Sequence, residues 1–286
     1  MCDTCGCNIT PGNQYLIKEG GKLSLASNGK TSISVLKNLM HENDHIAAHN
    51  RDHFDKHNVL VINLMSSPGS GKTALLETTI QQLKKQFCIA VIEGDLETEK
   101  DAERIRKQGV PAIQITTGSA CHLDAHMVHD ALHNLSLADL DIVFIENVGN
   151  LVCPASFDLG QHLNVTLLSV TEGDDKPSKY PVMFRAAGLM LLTKTDLLDV
   201  LDDFDTSKAE HNLRQLASRA PVFELSARRG EGITNWLDWL SRQFDAQIDR
   251  VKKGESLKPA IQPNGTQLHT QGLHAHDQHA SVHPQG

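Results

Sequence analysis

The stretch that most constrains this chain runs from Val59 to Thr79 and reads VLVINLM, then SSPGSGKT, then ALLETT. A short run of Val, Ile and Leu predicts a buried parallel strand. A Gly/Ser/Pro loop follows, and a helix is predicted to begin at Lys72–Thr73. Strand, glycine loop and helix in that order are the setting in which backbone amides and a helix N-terminus hold phosphate. Gly69 and Gly71 let the backbone curl so that successive amides point inward at an anion. The candidate cradle is Gly69, Ser70, Gly71, Lys72, Thr73 and Ala74, with Lys72 reaching the β and γ phosphates and the Thr73 hydroxyl on Mg²⁺. Ser66 stands where the pattern usually has glycine. It costs backbone freedom there without obstructing the cradle.

Beyond this stretch, apolar runs recur between helical patterns. Strands are predicted at Cys88–Glu93, Ala112–Ile115, Asp141–Glu146, Val165–Val170 and Leu189–Leu192, with a weaker one at Val222–Leu225. Helices are expected near 97–108, 119–134, 206–219 and 232–247. Alternating β and α means a mostly parallel sheet with helices on both faces, the fold class of P-loop NTPases. Cys88 reads as a core residue of its strand.

The base-recognition loop is expected where the strand LMLL runs into Thr193-Lys194-Thr195-Asp196, which resembles the N/T-K-x-D motif of GTPases. A carboxylate at Asp196 can accept from both N1–H and the 2-amino group of guanine, whereas adenine would strand it. The Lys194 stem can cover the base plane, and Thr193 replaces the commoner Asn. Ser226-Ala227 resembles the S-A motif whose backbone N–H meets the guanine O6. Two carboxylates complete the site. Asp95, in EGDLET, is a candidate Mg²⁺ or water partner, and Glu146 opens Glu146-Asn147-Val148-Gly149, which resembles the D-x-x-G switch with Glu for Asp. The Gly149 amide would touch the γ-phosphate. No catalytic arginine can be picked out.

Metal-ligand patterns occur at several places. Cys2, Cys5 and Cys7 form C-x-x-C-G-C, with Gly6 permitting the turn that brings three soft donors to one Ni²⁺, Zn²⁺ or Cu⁺ ion. Half of a zinc finger is the alternative, but no second Cys/His pair follows at finger spacing. Cys121 and His122 are expected to begin a helix, and Cys153 lies four residues beyond Gly149. Together they make a plausible Zn²⁺ or Ni²⁺ set, which a dimer could pool. A ligand tethered so near the phosphate-sensing glycine would link nucleotide state to metal affinity. His41, His45, His49, His53 and His57 recur every four residues on a predicted helix over Ser34–Lys56. Consecutive pairs can chelate, although a solvated face is the plainer reading. His126, His129 and His133 are expected at the surface.

The expected organisation is a CxxCGC metal motif and flexible linker over 1–33, a GTPase domain with a leading histidine-bearing helix over 34–250, and a disordered histidine-rich tail over 251–286. The tail carries His269, His274, His276, His279 and His283, a composition that suits weak, multiple Ni²⁺ binding or plain solvation. A net charge of −8 disfavours nucleic acid as a partner. No run of 18 apolar residues suggests a membrane span, and the polar MCDTCGC start lacks a signal-peptide core, so a cytoplasmic protein with thiol or metal-bound cysteines is expected.

Taken together, MCDTCGC, SSPGSGKT, EGDLET, GSACHLDAHMV, ENVGNLVCP, TKTDLL and LSARRGEGI with its following W-x-x-W resemble the HypB family of hydrogenase nickel-incorporation GTPases, from Cys2 to about Phe244. The resemblance implies a GTP-hydrolysing metallochaperone that uses GTP/GDP with Mg²⁺ and forms a GTP-dependent homodimer. It also implies delivery of Ni²⁺ to the hydrogenase large subunit together with a HypA-type metallochaperone. By the same resemblance Cys2, Cys5 and Cys7 form a tight Ni²⁺ site, and Cys121, His122 and Cys153 form a weaker Ni²⁺ or Zn²⁺ site near the dimer interface. A urease-type nickel GTPase fits the CxxCGC head and the ENVGNLVCP segment less well.

Overall fold

The computed structural model describes residues 16–19, 22–25, 30–118, 120–216 and 218–259, with side chains from Met40 onward. Cys2, Cys5, Cys7 and the histidine-rich tail lie outside the described residues.

The first described element is a hairpin, β1 (Leu16–Glu19) paired antiparallel with β2 (Lys22–Leu25), where the sequence predicts a linker. In β2 the alternation of Lys22 and Ser24 with Leu23 and Leu25 supplies the two-residue period that a linker assignment overlooks. Helix α1 (Lys30–Lys56) follows, then β3 (Leu60–Met65) and the loop into α2 (Lys72–Leu83). Next come β4 (Ile89–Asp95), α3 (Lys100–Lys107), β5 (Ala112–Thr116), α4 (Ala125–Leu132) and β6 (Ile142–Glu146). The second half carries β7 (Leu163–Ser169), the short α5 (Lys176–Lys179) and α6 (Pro181–Ala186), and β8 (Leu189–Thr193). It closes with α7 (Thr206–Gln215), β9 (Val222–Leu225) and α8 (Ile233–Lys252).

The main sheet runs β5-β4-β6-β3-β7-β8-β9, and every pairing in it is parallel. Strands buried on both faces read as mostly apolar runs, which is why the central strands of this sheet were visible in the sequence and the edge strand β9 only weakly so. Side chains alternate across it. Leu60, Ile62, Val91, Ile142 and Phe144 join the core under α2, α3 and α8, while Val61, Ala90, Ile92, Val143 and Ile145 pack against Phe54 of α1 and Val128 and Leu132 of α4. A third cluster sets Leu168, Met190 and Leu192 against α6 and α7. Trp236, fully buried, stacks on Trp239 and donates its indole N–H to the Thr79 hydroxyl at 2.8 Å, which pins α8 to the helix that starts at the phosphate loop.

Two local expectations need correction. Cys88 is exposed, one residue before β4, and its backbone N–H donates to Asp141 at 2.7 Å. The helix expected from Cys121 begins only at Ala125, because Asp124 is its N-cap and accepts from the Met127 N–H at 2.9 Å. Cys121 and His122 therefore sit on the loop ahead of α4. Helices α1 and α4 also pack side by side, which sets His49 against the half-buried His129, while His126 and His133 are exposed.

Candidate functional site

The parallel sheet ends its strands at one edge, and the loops there form two adjoining pockets. This is where open α/β sheets hold ligands. The first pocket, of about 370 Å³, is lined by Gly69, Gly71, Lys72, Thr73 and Ala74 from the glycine loop, Glu93 and Asp95 from β4, and Glu146 and Gly149 from β6 and its following loop. Gly71 has φ +96°, the left-handed conformation that lets the loop turn into α2. The Lys72 ammonium donates to the Ser66 hydroxyl at 3.0 Å, so the residue that departs from the glycine pattern holds the lysine within the loop. The loop is braced from outside by Glu172, whose carboxylate accepts from the hydroxyls of Ser67 and Ser70 and from the Ser169 N–H.

Glu93 and Glu146 face each other across the β4–β6 pair, 2% and 3% exposed. Burial, reinforced by the negative charge of Glu146, pushes the Glu93 carboxyl up to about 11. Glu146 is also raised by burial, but Lys72 opposes that and the Thr73 hydroxyl donates to it at 2.9 Å. The shared proton therefore rests on Glu93. One oxygen of each carboxylate has no hydrogen-bond partner. Two buried acids with orphaned oxygens beside a threonine hydroxyl are a hard-oxygen donor set, and a divalent cation such as Mg²⁺ fits it. Asp95 opens toward the same pocket. Burial acts to raise its pKa, but the Thr98 hydroxyl at 2.7 Å, the N–H groups of Leu96 and Thr98, and Lys72 outweigh that and hold it below the ordinary carboxylate value.

The second pocket, about 240 Å³, is lined by Ser70, Gly71 and Ala74 together with Thr193, Lys194, Asp196, Ser226 and Ala227. The Thr193 hydroxyl donates to the Ser70 carbonyl at 2.7 Å, so the Thr at this position ties the end of β8 to the glycine loop. The Ser226 hydroxyl donates to Asp196 at 2.7 Å and is the leading cause of its lowered pKa. The Ser226 N–H is already paired with the Glu231 carbonyl at 2.9 Å.

The thiolate–imidazole set is brought together. Cys121 Sγ lies 3.0 Å from Cys153 Sγ and 3.8 Å from His122 Nδ1, and the ligand atoms of all three lie within 4.8 Å of one another. Cys153 and His122 are buried, and His122 stacks on Phe157 with centroids 3.9 Å apart. Among the described residues this is the one group of three or more His, Cys, Asp or Glu side chains gathered so closely. It abuts the phosphate pocket. A Cβ on Gly94 would come within 2.8 Å of the Leu123 side chain, and a Cβ on Gly149 within 2.8 Å of the Pro68 backbone.

Residues 60–224 match the family described as CobW/HypB/UreG, nucleotide-binding domain. The hydrogenase maturation factor HypB of Azotobacter chroococcum mcd 1 is 52% identical to this chain over 216 residues, 76% of this chain and 70% of that one. The chain belongs to the HypB family. Among solved structures, HypB from Helicobacter pylori in complex with nickel superposes with TM-score 0.67 at 41% identity, over 75% of this chain and 97% of that one. The HypB of Archaeoglobus fulgidus gives TM-score 0.67 at 38% identity, over 71% and 99%. A P-loop nucleotide-binding fold is thus the family's common frame. No described helix is long and apolar enough to cross a membrane.

Sequence reasoning missed Glu93, Glu172 and the buried amides of Asn63 and Asn147. Glu93 carries a readable signal, since a carboxylate ending an otherwise apolar strand needs a partner. Arg104 lines the phosphate pocket but is engaged by Glu77 and Asp101, at 2.6 and 2.8 Å.

Proposed function

We propose that the chain is a GTP-hydrolysing nickel metallochaperone that helps load Ni²⁺ into the hydrogenase large subunit, with nucleotide state setting its grip on the metal. The observation that carries this reading is the 3.0 Å approach of Cys121 and Cys153 on loops that pack directly against the phosphate pocket. Family membership supplies the hydrogenase context, and the Helicobacter pylori relative is a nickel complex.

The roles divide by chemistry. The amides of Gly69, Ser70 and Gly71 and the start of α2 cradle the phosphates, and Lys72 leaves Ser66 to meet the β and γ oxygens. Mg²⁺, when bound, neutralises charge on the transferring phosphoryl group, and Thr73, Glu146, Glu93 and Asp95 supply its protein side. Asp196 reads N1–H and the 2-amino group of guanine while Ser226 steadies it. With the Ser226 N–H paired to Glu231, the Ala227 N–H serves the purine O6. Lys194 lies over the base. Gly149, in contact with Pro68, is the backbone that senses the γ-phosphate.

Ni²⁺ is the cargo, held by Cys121, His122 and Cys153. The same donors accept Zn²⁺, and a homodimer formed with GTP would place two such sets together. A tighter set at Cys2, Cys5 and Cys7 would receive the ion first. The HypA-type metallochaperone and the hydrogenase large subunit are the expected partners.

The test is GTP turnover by purified protein, with Lys72→Ala as control, beside nickel content of the Cys121→Ser/Cys153→Ser variant. Turnover lost in the first and nickel lost in the second support the reading. Nickel binding with no turnover in wild type makes it a storage protein instead.

A further inference from the structure

Helices α1 and α4 bring together five imidazoles that lie apart from the thiolate cluster. Helix α1 contributes His49 and His53, with His57 one residue past its end, and α4 contributes His129, with His133 as its C-cap. The rings stand close, with centroids 4.5 Å apart for His49–His53, 5.4 Å for His49–His129 and 5.1 Å for His129–His133. His53, His57, His129 and His133 line a surface pocket of about 270 Å³.

The hydrogen bonds around this pocket decide which ring nitrogen carries the proton. Asn50 is fully buried, and its Nδ2 donates to the carbonyls of Ala125 at 2.9 Å and Leu159 at 3.2 Å. A carbonyl cannot donate, so the amide orientation is fixed and Oδ1 faces His129 Nδ1 at 3.0 Å purely as an acceptor. His129 Nδ1 must therefore hold the proton, which leaves the lone pair on Nε2. His57 is governed the same way, because its Nδ1 lies 2.9 Å from the His53 carbonyl. Two rings, His57 just past the end of α1 and His129 on α4, thus have Nε2 prepared as a ligand by an acceptor behind them. This is how metal-binding histidines are oriented.

We propose that this α1–α4 face is a second transition-metal site, built from imidazole alone, that takes one divalent ion of the Ni²⁺, Cu²⁺ or Zn²⁺ class. His53 and His129 are its core ligands, one from each helix. The exposed rings of His49 and His133 turn on their own side-chain bonds to complete it. Imidazole donors suit these borderline ions, in contrast to the softer thiolates of Cys121 and Cys153.

The experiment is equilibrium dialysis of the full chain against Ni²⁺, comparing wild type with His53→Gln/His129→Gln and with His41→Gln/His45→Gln. The second variant removes two histidines of the same helix that lie outside the pocket. The first variant is expected to lose one Ni²⁺ per chain, or to bind it at least tenfold more weakly, and the second to match wild type. Equal loss in both variants, or none in either, overturns the site. Anomalous scattering at the nickel edge from wild-type crystals covers the case in which the first variant does not fold. A peak between α1 and α4 supports the site, and an empty groove beside an occupied Cys121–Cys153 cluster refutes it.

Discussion

The side-chain Oδ1 of Asn147 accepts the backbone N–H of Leu123 at 3.2 Å and that of Val148 at 3.0 Å. Asn147 belongs to the loop that ends in Gly149, and Leu123 follows His122 directly. One buried carboxamide therefore joins the loop proposed to sense phosphate to the loop proposed to hold the metal. The chain of amides extends inward, from Asn147 to Asn63 at 3.2 Å, from Asn63 to Asn164 at 3.2 Å, and from Gln161 to Asn164 at 2.9 Å. Networks of this kind have few arrangements that satisfy every member, which suits a two-state switch.

Replacing that amide should separate the two sites. Asn147→Ala leaves the Leu123 N–H and the Asn63 Oδ1 without their partner, at a cost of about 1–3 kcal/mol. Beyond that, any difference in Ni²⁺ affinity between the GDP-bound and GTP-analogue-bound forms should fall toward zero while nucleotide affinity is largely kept. Calorimetric titration of each form checks this. A variant that keeps the wild-type ratio would show that coupling runs elsewhere.

The Glu93–Glu146 pair should make the nucleotide-free protein less stable as pH rises. An acid whose folded pKa is raised costs nothing below its ordinary value of 4.5, and then costs more with each pH unit up to about 11. By linkage that is at most about 3 kcal/mol at pH 7. Glu93→Gln, which mimics the protonated acid, should be near neutral at pH 4.5 and stabilising at pH 7 to 8. Thermal unfolding of both proteins across that range measures it. The same variant should weaken Mg²⁺-dependent nucleotide binding.

Base selectivity should rest on Asp196. In Asp196→Asn the carboxylate that accepts twice from guanine becomes an amide with one acceptor. GTP affinity should fall at least 100-fold, about 2.7 kcal/mol. Xanthosine triphosphate, which carries a carbonyl where guanine has its amino group, should become the better ligand. Competition binding against ATP, GTP and the xanthine nucleotide reads out the change.

Gly149 should tolerate no side chain. Its added Cβ would meet the Pro68 Cα and N at 2.8 Å, backbone atoms that cannot step aside. Gly149→Ala is expected to cost about 1–3 kcal/mol of stability and to slow GTP turnover at least tenfold. A turnover assay at saturating GTP decides it, because a residue that only packs would leave turnover unchanged.

Much of this architecture was legible because buried parallel strands are mostly apolar, as LVINLM and IVFIE show with one polar residue each. The glycine loop and Asp196, expected from motifs local in sequence, line adjoining pockets in the structure. Cys121, His122 and Cys153 were legible by residue type, although the helix start was misplaced since Asp124 was not recognised as a cap. What stayed hidden depends on distant partners. Glu172 reaches Ser70 across 102 positions, Asn63 reaches Asn164 across 101, and Asn50 reaches Ala125 across 75. Nothing near those residues in the chain announces the contact. The histidine groove was hidden for the same reason, since each helix shows a stripe and only their packing brings the rings together.

The central claim is that the triphosphate pocket governs the Cys121–His122–Cys153 cluster. It is tested most directly by titrating Ni²⁺ into the full chain bound to GDP and, separately, to a non-hydrolysable GTP analogue. Cys121→Ser/Cys153→Ser serves as the blank for every other nickel site. The expected result is a change of at least fivefold in the affinity that the blank removes, between the two nucleotide states. Identical affinities in both states, with that component still dependent on Cys153, would contradict the account.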